Sequence, residues 1–449
     1  MIGGGVYVYE NKKVEVPDVV DIGTQQTNTQ PLVNTQTAPP KSNTSDTKKT
    51  EPQIVSTLTT TGTGLILISS CGEITKSGKY MLNNDLTDPK NLTEEGGVLC
   101  LNIHDVDDIS IDCKGYSIST AHAVHFKNVT NFSLSSCVLK SERRPGDSTQ
   151  FTIENSEKGS VIGNKITGIF LVFKSSGLKV SGNTIRGLYS QGYGIDNIID
   201  DNTFSDNFLI LSNGEGNIIT NNKINGGSSG IFSKPDGADD AVILSDESNI
   251  LVQNNVIENS WDCGIETLGL IANSKIIGNT IKNSGLCGIG GWYWSSWVNN
   301  TVSQNVIDGA SQMFYFTRGL GLRPAGFDDQ KIKPADSKVY FKDNTFSDNK
   351  FIHRRAVPFQ SILSSSYVNI LDNVAPVSVG RSVPGERAVT PNDFVLGNNR
   401  FSNNDFNATA PAPFFKPTSM IIDGEGNKCG EPIGPDGLRM SDYPLKCGQ

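Results

Sequence analysis

The sequence predicts an all-β solenoid, a coil of short strands that stacks on itself. Three observations point there: a recurring short motif, β-branched pairs just ahead of it, and a composition suited to turns. The motif is Asn-x-(Ile/Phe), found at Asn164-Lys165-Ile166, Asn183-Thr184-Ile185, Asn202-Thr203-Phe204, Asn222-Lys223-Ile224, Asn255-Val256-Ile257, Asn279-Thr280-Ile281, Asn305-Val306-Ile307, Asn344-Thr345-Phe346 and Asn399-Arg400-Phe401. Successive asparagines lie 19, 19, 20, 33, 24, 26, 39 and 55 residues apart, so the minimum step is nearly constant and the excess is insertion. The pairs Ile198-Ile199, Ile218-Ile219 and Ile276-Ile277 fit short strands joined by tight turns.

Stacked coils stand about 4.8 Å apart, so like residues form ladders; an asparagine column can hydrogen-bond along itself while tolerating a left-handed turn. The asparagines therefore read as structural. The 46 glycines, with only 19% charged residues, disfavour long helices or coiled coils. A formal charge of −9 argues against nucleic acid or an anionic membrane held by counterion release, and no apolar run approaches the roughly 20 residues of a membrane span. Only four histidines (His104, His122, His125 and His353) and five methionines are present, which leaves little material for a zinc centre or metal handling, so acid–base work falls mainly to carboxylates.

Ahead of the coil, residues 24–55 are rich in Thr, Asn, Gln, Ser and Pro and read as a disordered linker. Residues 1–23 alternate as Val6, Tyr7, Val8, Tyr9 and then Val14, Val16 and Val19; they read either as an anchoring peptide or as a frayed terminus. The coil is expected over 56–410, with a C-terminal tail or cap over 411–449.

The repeat resembles right-handed parallel β-helix proteins, the architecture of pectate-lyase-like enzymes, many phage tailspikes and microbial surface proteins. The resemblance spans roughly residues 65–405. The segment Cys71-Gly72-Glu73-Ile74, Ser77 to Leu82, Asp85-Leu86, Cys100 to Ile103 and Ile109 to Ile118 is similar to a cap of bacterial and archaeal surface β-helix proteins. These families share coil geometry and no active-site motif, so the resemblance implies fold and leaves function to the site.

Eight cysteines fall in local pairs: Cys71 with Cys100, Cys113 with Cys137, Cys263 with Cys287, and Cys429 with Cys447. Both buried thiols and disulfides are open, and disulfides would put the protein outside a reducing cytosol. Aligning Cys263-Gly264-Ile265 with Cys287-Gly288-Ile289 sets those sulfurs one 24-residue coil apart in one column.

The longest insertions follow Asn222, Asn305 and Asn344, and would wall a groove along the solenoid where a polymer could lie. The first contains Asp236, Asp239 and Asp240, either a calcium or catalytic cluster or a solvated acidic turn; it lacks the regular ligand spacing of a calcium loop. No other cofactor is indicated. With Ile231, Ile265 and Ile289 inward, Phe232, Glu266 and Gly290 point outward, which would expose Glu266 mid-wall near Asp262, Asp239 and Asp240. Two such carboxylates suit glycoside hydrolysis, one as acid and one as base or nucleophile. The alternative is an ordinary surface charge.

Gly290 and Gly291 would leave open floor beside Trp292, Tyr293, Trp294 and Trp297, with Trp261 nearby and Tyr315, Arg318 and Arg323 one coil on. Aromatic faces could stack on sugar rings and the arginines pair with a uronate or sialate; the alternative is that the aromatics bury a long loop. The sequence thus predicts an extracellular, cell-surface or virion β-helix that binds polysaccharide, and leaves its cleavage open; an enzyme of this kind would be a glycoside hydrolase or a polysaccharide lyase. The competing reading is a non-catalytic adhesive or structural protein. Residues 1–23 would attach it to a larger assembly, and tailspike resemblance implies a homotrimer. Exposure of Glu266 and Asp262 would favour the enzyme, and their burial the adhesive.

Overall fold

The computed structural model describes residues 58–60, 64–87, 99–140, 149–206, 209–226, 240–260, 262–285, 287–291, 294–310, 312–316, 338–352, 377–379, 394–405 and 421–428. The anchor-like segment, the linker, Cys429 and Cys447 lie outside the described residues, as do Trp261, Asp236, Asp239, Trp292, Tyr293, Arg318 and Arg323.

The chain is a right-handed parallel β-helix. One coil shows the plan: Ile169–Phe173 forms a first face, Lys179–Ser181 a second and Thr184–Arg186 a third, after which Tyr189–Gly192 returns to the first face. That strand pairs in parallel with the one below, Phe170 opposite Tyr189 and Phe173 opposite Gly192. The first two faces merge into a 28-stranded sheet and the third is an 11-stranded sheet. At the N-terminal end Leu58–Thr60 pairs antiparallel with Leu65–Ile68. Pairing also continues through Ile421–Asp423, which lies on Asn399 to Phe401.

Alternation along each strand decides what is inside. In Ile169–Phe173 the inward Phe170 and Val172 are buried while Leu171 is half-buried. Because the register is parallel, inward residues stack on their own kind: Phe151 on Phe170 with ring centroids 4.4 Å apart, and Phe346 on Phe401 at 4.5 Å. The third face contributes Ile166, Ile185, Phe204, Ile224, Ile257, Ile281 and Ile307, all within 2% of full burial. These are the third residues of the recurring motif.

The asparagines line up, in two files. The principal file runs Asn164, Asn183, Asn202, Asn222, Asn255, Asn279, Asn305, Asn349, Asn404 and Asn427, each side-chain amide as far as that of Asn404 donating to the next Oδ1. Asn344 and Asn399, expected in this file, instead belong to a second one at the corner between the first and second faces, where Asn197 and Asn217 stand in earlier coils and Asn300 donates to Asn344 and Asn344 to Asn399. The expected steps of 39 and 55 after Asn305 are therefore 44 and 55, through Asn349 and Asn404.

Each amide is saturated. Asn183 receives nothing from solvent: its backbone N–H and Nδ2 both donate to Asn202 Oδ1 at 2.9 Å, and Nδ2 also reaches the Val161 carbonyl. The left-handed turn belongs to the residue before. Gly163, Gly182, Asp201, Asn221, Asn254 and Gly278 carry φ of 53–67°, while the ladder asparagines do not. A short polar side chain or none tolerates that conformation.

Candidate functional site

On the outward side of the first face, register brings four coils together. Val242 lies opposite Ile265 and Ile265 opposite Ile289, so Ile243, Glu266, Gly290 and Tyr315 form one outward row. The neighbour of Glu266 in the preceding coil is thus Ile243; Ile231 and Phe232 lie outside the described residues.

Glu266 points outward as its strand position requires, but it is only 5% exposed, against the expectation of an exposed mid-wall carboxylate. Asp240 is 2% exposed and Asp262 is half-buried. One oxygen from each of these three carboxylates, together with Cys263 Sγ, lies within 4.8 Å of all the others. Asp240 leads into the strand Val242–Ser248, and its Oδ1 accepts the Cys263 backbone N–H at 2.9 Å. Asp262 Oδ1 stands 3.5 Å from Cys263 Sγ.

Cys263 is bridged to Cys287 one coil away, their Cα atoms 4.5 Å apart, which resolves the choice between bridge and thiol ladder. Cys71–Cys100 and Cys113–Cys137 are also bridged. A disulfide sulfur is no thiolate, so the metal-competent set reduces to Asp240, Asp262 and Glu266. All-oxygen ligation suits a hard cation such as Ca2+ rather than zinc.

The two glycines do not make open floor. A Cβ on Gly290 would stand 2.5 Å from Cys287 Sγ and 3.0 Å from Cys263 Sγ, so its missing side chain accommodates the disulfide. A Cβ on Gly291 would meet Ser295 Oγ at 2.6 Å and the Phe316 ring at 2.9 Å. Both glycines are spent on packing.

The described aromatics are enclosed as well. Trp297 is fully buried in the core, edge-on to Phe316 with centroids 4.7 Å apart, and its Nε1 donates to Thr267 Oγ1 at 2.8 Å. Thr267 in turn donates to the Gly290 carbonyl at 2.9 Å, tying the tryptophan to the strand that carries Glu266. Trp294 is 3% and Tyr315 1% exposed, so neither offers an open ring face. The alternative reading, aromatics burying a loop against the coil, describes these three residues.

A second polar group sits lower on the same face, and the sequence reading passed over it. His125 Nε2 lies 3.3 Å from Glu154 Oε2, and Lys127 Nζ lies 3.4 Å from Glu154 Oε1. His122 Nε2 shares a 3.1 Å hydrogen bond with Thr152 Oγ1, and its ring stacks 5.9 Å from that of His125. Burial, then the neighbouring His125, holds His122 down to about 4. Burial also lowers His125, opposed by the Glu154 carboxylate. The signal was present: three of the four histidines fall between residues 104 and 125.

Above the histidines, Phe173 and Tyr193 are 38% and 51% exposed and meet edge to face at 5.6 Å. Elsewhere Glu247 interrupts the corner file, accepting from Gly214 N–H and Asn217 Nδ2 at 3.1 Å each. Burial, against those two hydrogen bonds, pushes it up to about 7.

Among known proteins, the family described as right handed beta helix region matches residues 197–321. No curated protein matches in sequence. Among solved structures, the chain is similar to the periplasmic alginate epimerase AlgG (11% identity, 82% of this chain and 84% of that one, TM-score 0.40). It is also similar to an endo-xylogalacturonan hydrolase from Aspergillus tubingensis (13% identity, 80% and 92%, TM-score 0.36). A third likeness is to the Dettilon tailspike protein (13% identity, 84% and 60%, TM-score 0.35). None reaches a similarity from which an activity transfers.

Proposed function

We propose that the chain is a carbohydrate-active β-helix of an oxidising, extracytoplasmic setting that holds a polysaccharide along the outward side of its first face and hydrolyses it at Asp240, Asp262 and Glu266. The observation that supports this reading is the convergence of three carboxylates from two coils to within 4.8 Å. Glycoside hydrolysis needs one carboxyl to protonate the leaving oxygen and a second to attack the sugar or activate water. Oxygens this close suit direct attack, which works at a separation of about 5–5.5 Å, whereas water activation needs about 6.5–9.5 Å. Asp262, the more accessible, takes the role of nucleophile. Glu266 takes that of acid, and Asp240 positions the strand through the Cys263 N–H.

The three disulfides among the described residues support an oxidising compartment. Display on a cell or virion surface, attachment through residues 1–23 and trimerisation extend that reading, as do sugar contacts by Trp292, Tyr293, Arg318 and Arg323. The test is incubation with neutral, uronate and capsular glycans, following both new reducing ends and unsaturated products, with Ca2+ and with chelator. New reducing ends are expected, and Glu266→Gln should lower kcat by at least about a hundredfold. Absence of product from every glycan sinks the hydrolytic reading, and loss of product with chelator assigns the carboxylates to a cation.

Burial of Glu266 and Asp240 favours a second reading, a non-catalytic adhesive in which the carboxylates and the disulfide form a structural knot. Glycan binding without any product is its signature in the same assay.

A further inference from the structure

We propose that Phe173 and Tyr193, with Lys127 and Glu154 beside them, form a subsite for a neutral glycan; this rests on the reading of the first face as polysaccharide-binding and adds both a location and a ligand class to it. Three independent features converge. First, register sets Lys127 opposite Glu154, Glu154 opposite Phe173, and Phe173 opposite Gly192, so the group is one continuous outward row over four coils. The absent side chain at Gly192 keeps the row low beside the Phe173 ring, which a Cβ there would approach to 3.4 Å.

Second, Tyr193 occupies a left-handed turn with φ of 54°. The equivalent corner carries Asn128, Asn155 and Asn213 in three other coils, residues suited to that conformation, and Lys174 in the coil next to Tyr193. A bulky tyrosine there is strained, and strain of this kind is retained where the side chain is used. The ring it presents is half in solvent and held edge-on to Phe173, a rigid platform for the C–H face of a pyranose.

Third, the polar rim carries both signs. Lys127 and Glu154 stand 3.4 Å apart, and Lys174 Nζ lies 5.2 Å from the Phe173 ring centroid, so the spot offers donors and acceptors together. Vicinal hydroxyls satisfy both at once, whereas a uronate carboxylate would meet that of Glu154. Phe173 lies four coil steps before Leu268 on the Glu266 strand, about 19 Å at about 4.8 Å per coil, within the span of one extended oligosaccharide.

The experiment is calorimetric titration of the full chain with short neutral oligosaccharides and, separately, uronate oligosaccharides. The variants are Phe173→Ala and Tyr193→Asn, the second chosen because Asn suits the turn and so keeps the fold. A neutral oligosaccharide should bind, and each variant should weaken Kd roughly tenfold. Preference for the uronate series, unchanged Kd in both variants, or no binding by either series overturns the proposal. Binding that both variants weaken, without cleavage, upholds this subsite while the hydrolytic reading fails. Cleavage with Kd and KM unchanged in both variants does the reverse.

Discussion

The outward row of the first face has two halves made on the same plan with opposite results. From His125 through Thr152, Leu171 and Ser190 to Ile210, every residue of the row is half-buried; from Ile243 through Glu266 and Gly290 to Tyr315, every one is buried. Both halves keep the same parallel pairing of inward on inward and outward on outward residues. The change falls where the principal-file step rises from 20 residues at Asn222 to 33 at Asn255. One repeat thus supplies both a half-open strip and a buried carboxylate centre.

The largest effect should come from what both halves share. Asn202→Leu removes the acceptor for the Asn183 backbone N–H and amide, and strands them in the core. It should cost about 3 kcal/mol or more in chemical denaturation, whereas Asp201→Asn, at the exposed left-handed position, should stay within about 0.5 kcal/mol. Equal costs would break the claim that the ladder and its turn have separate roles.

Next is the enclosed half alone. Cys263→Ser with Cys287→Ser opens a 24-residue loop and should destabilise by about 3 kcal/mol, read from the unfolding midpoint with the other two bridges intact. Activity should fall as well, since Asp240 holds the Cys263 N–H.

Titration sets the halves against each other. Glu247, up at about 7 and ordinarily 4.5, binds its proton more tightly when folded, so stability falls as pH rises through about 4.5 to 7 and is flat above. His122, down at about 4 and ordinarily 6.5, does the opposite: its contribution is present above 6.5 and is lost as pH falls toward 4. The slopes oppose each other between them. Glu247→Gln should leave stability rising with pH in thermal melts across that window, and His122→Gln should leave it falling. Unchanged slopes in both would show that neither group is desolvated.

The smallest effect concerns the open half. Tyr193→Asn should raise stability by about 0.5–1 kcal/mol by relieving the left-handed tyrosine, while weakening glycan binding. A loss of stability would mean that the ring is structural.

Much of the fold was legible because a parallel coil repeats its chemistry: the Asn-x-(Ile/Phe) motif marks one corner and one inward residue of nearly every coil. The misassignment of Asn344 and Asn399 has a physical origin. Several coils carry asparagine at both corners, five residues apart, as in Asn197 and Asn202 or Asn344 and Asn349, and a motif search cannot tell one corner from the other. Asp262, Glu266 and Asp240 were found together because Cys263 and Cys287 fix the local register. Their burial was not legible, since it depends on neighbours outside the strand. The group around Glu154 was missed because His125 and Phe173 meet it only through stacking, with no recurring motif to align those coils.

The most direct test of the carboxylate centre is the anomeric configuration of the first product, followed by NMR during cleavage of a susceptible glycan. Oxygens of Asp240, Asp262 and Glu266 within 4.8 Å predict retention, through attack by a side chain. Inversion, or an unsaturated product from elimination, would contradict it.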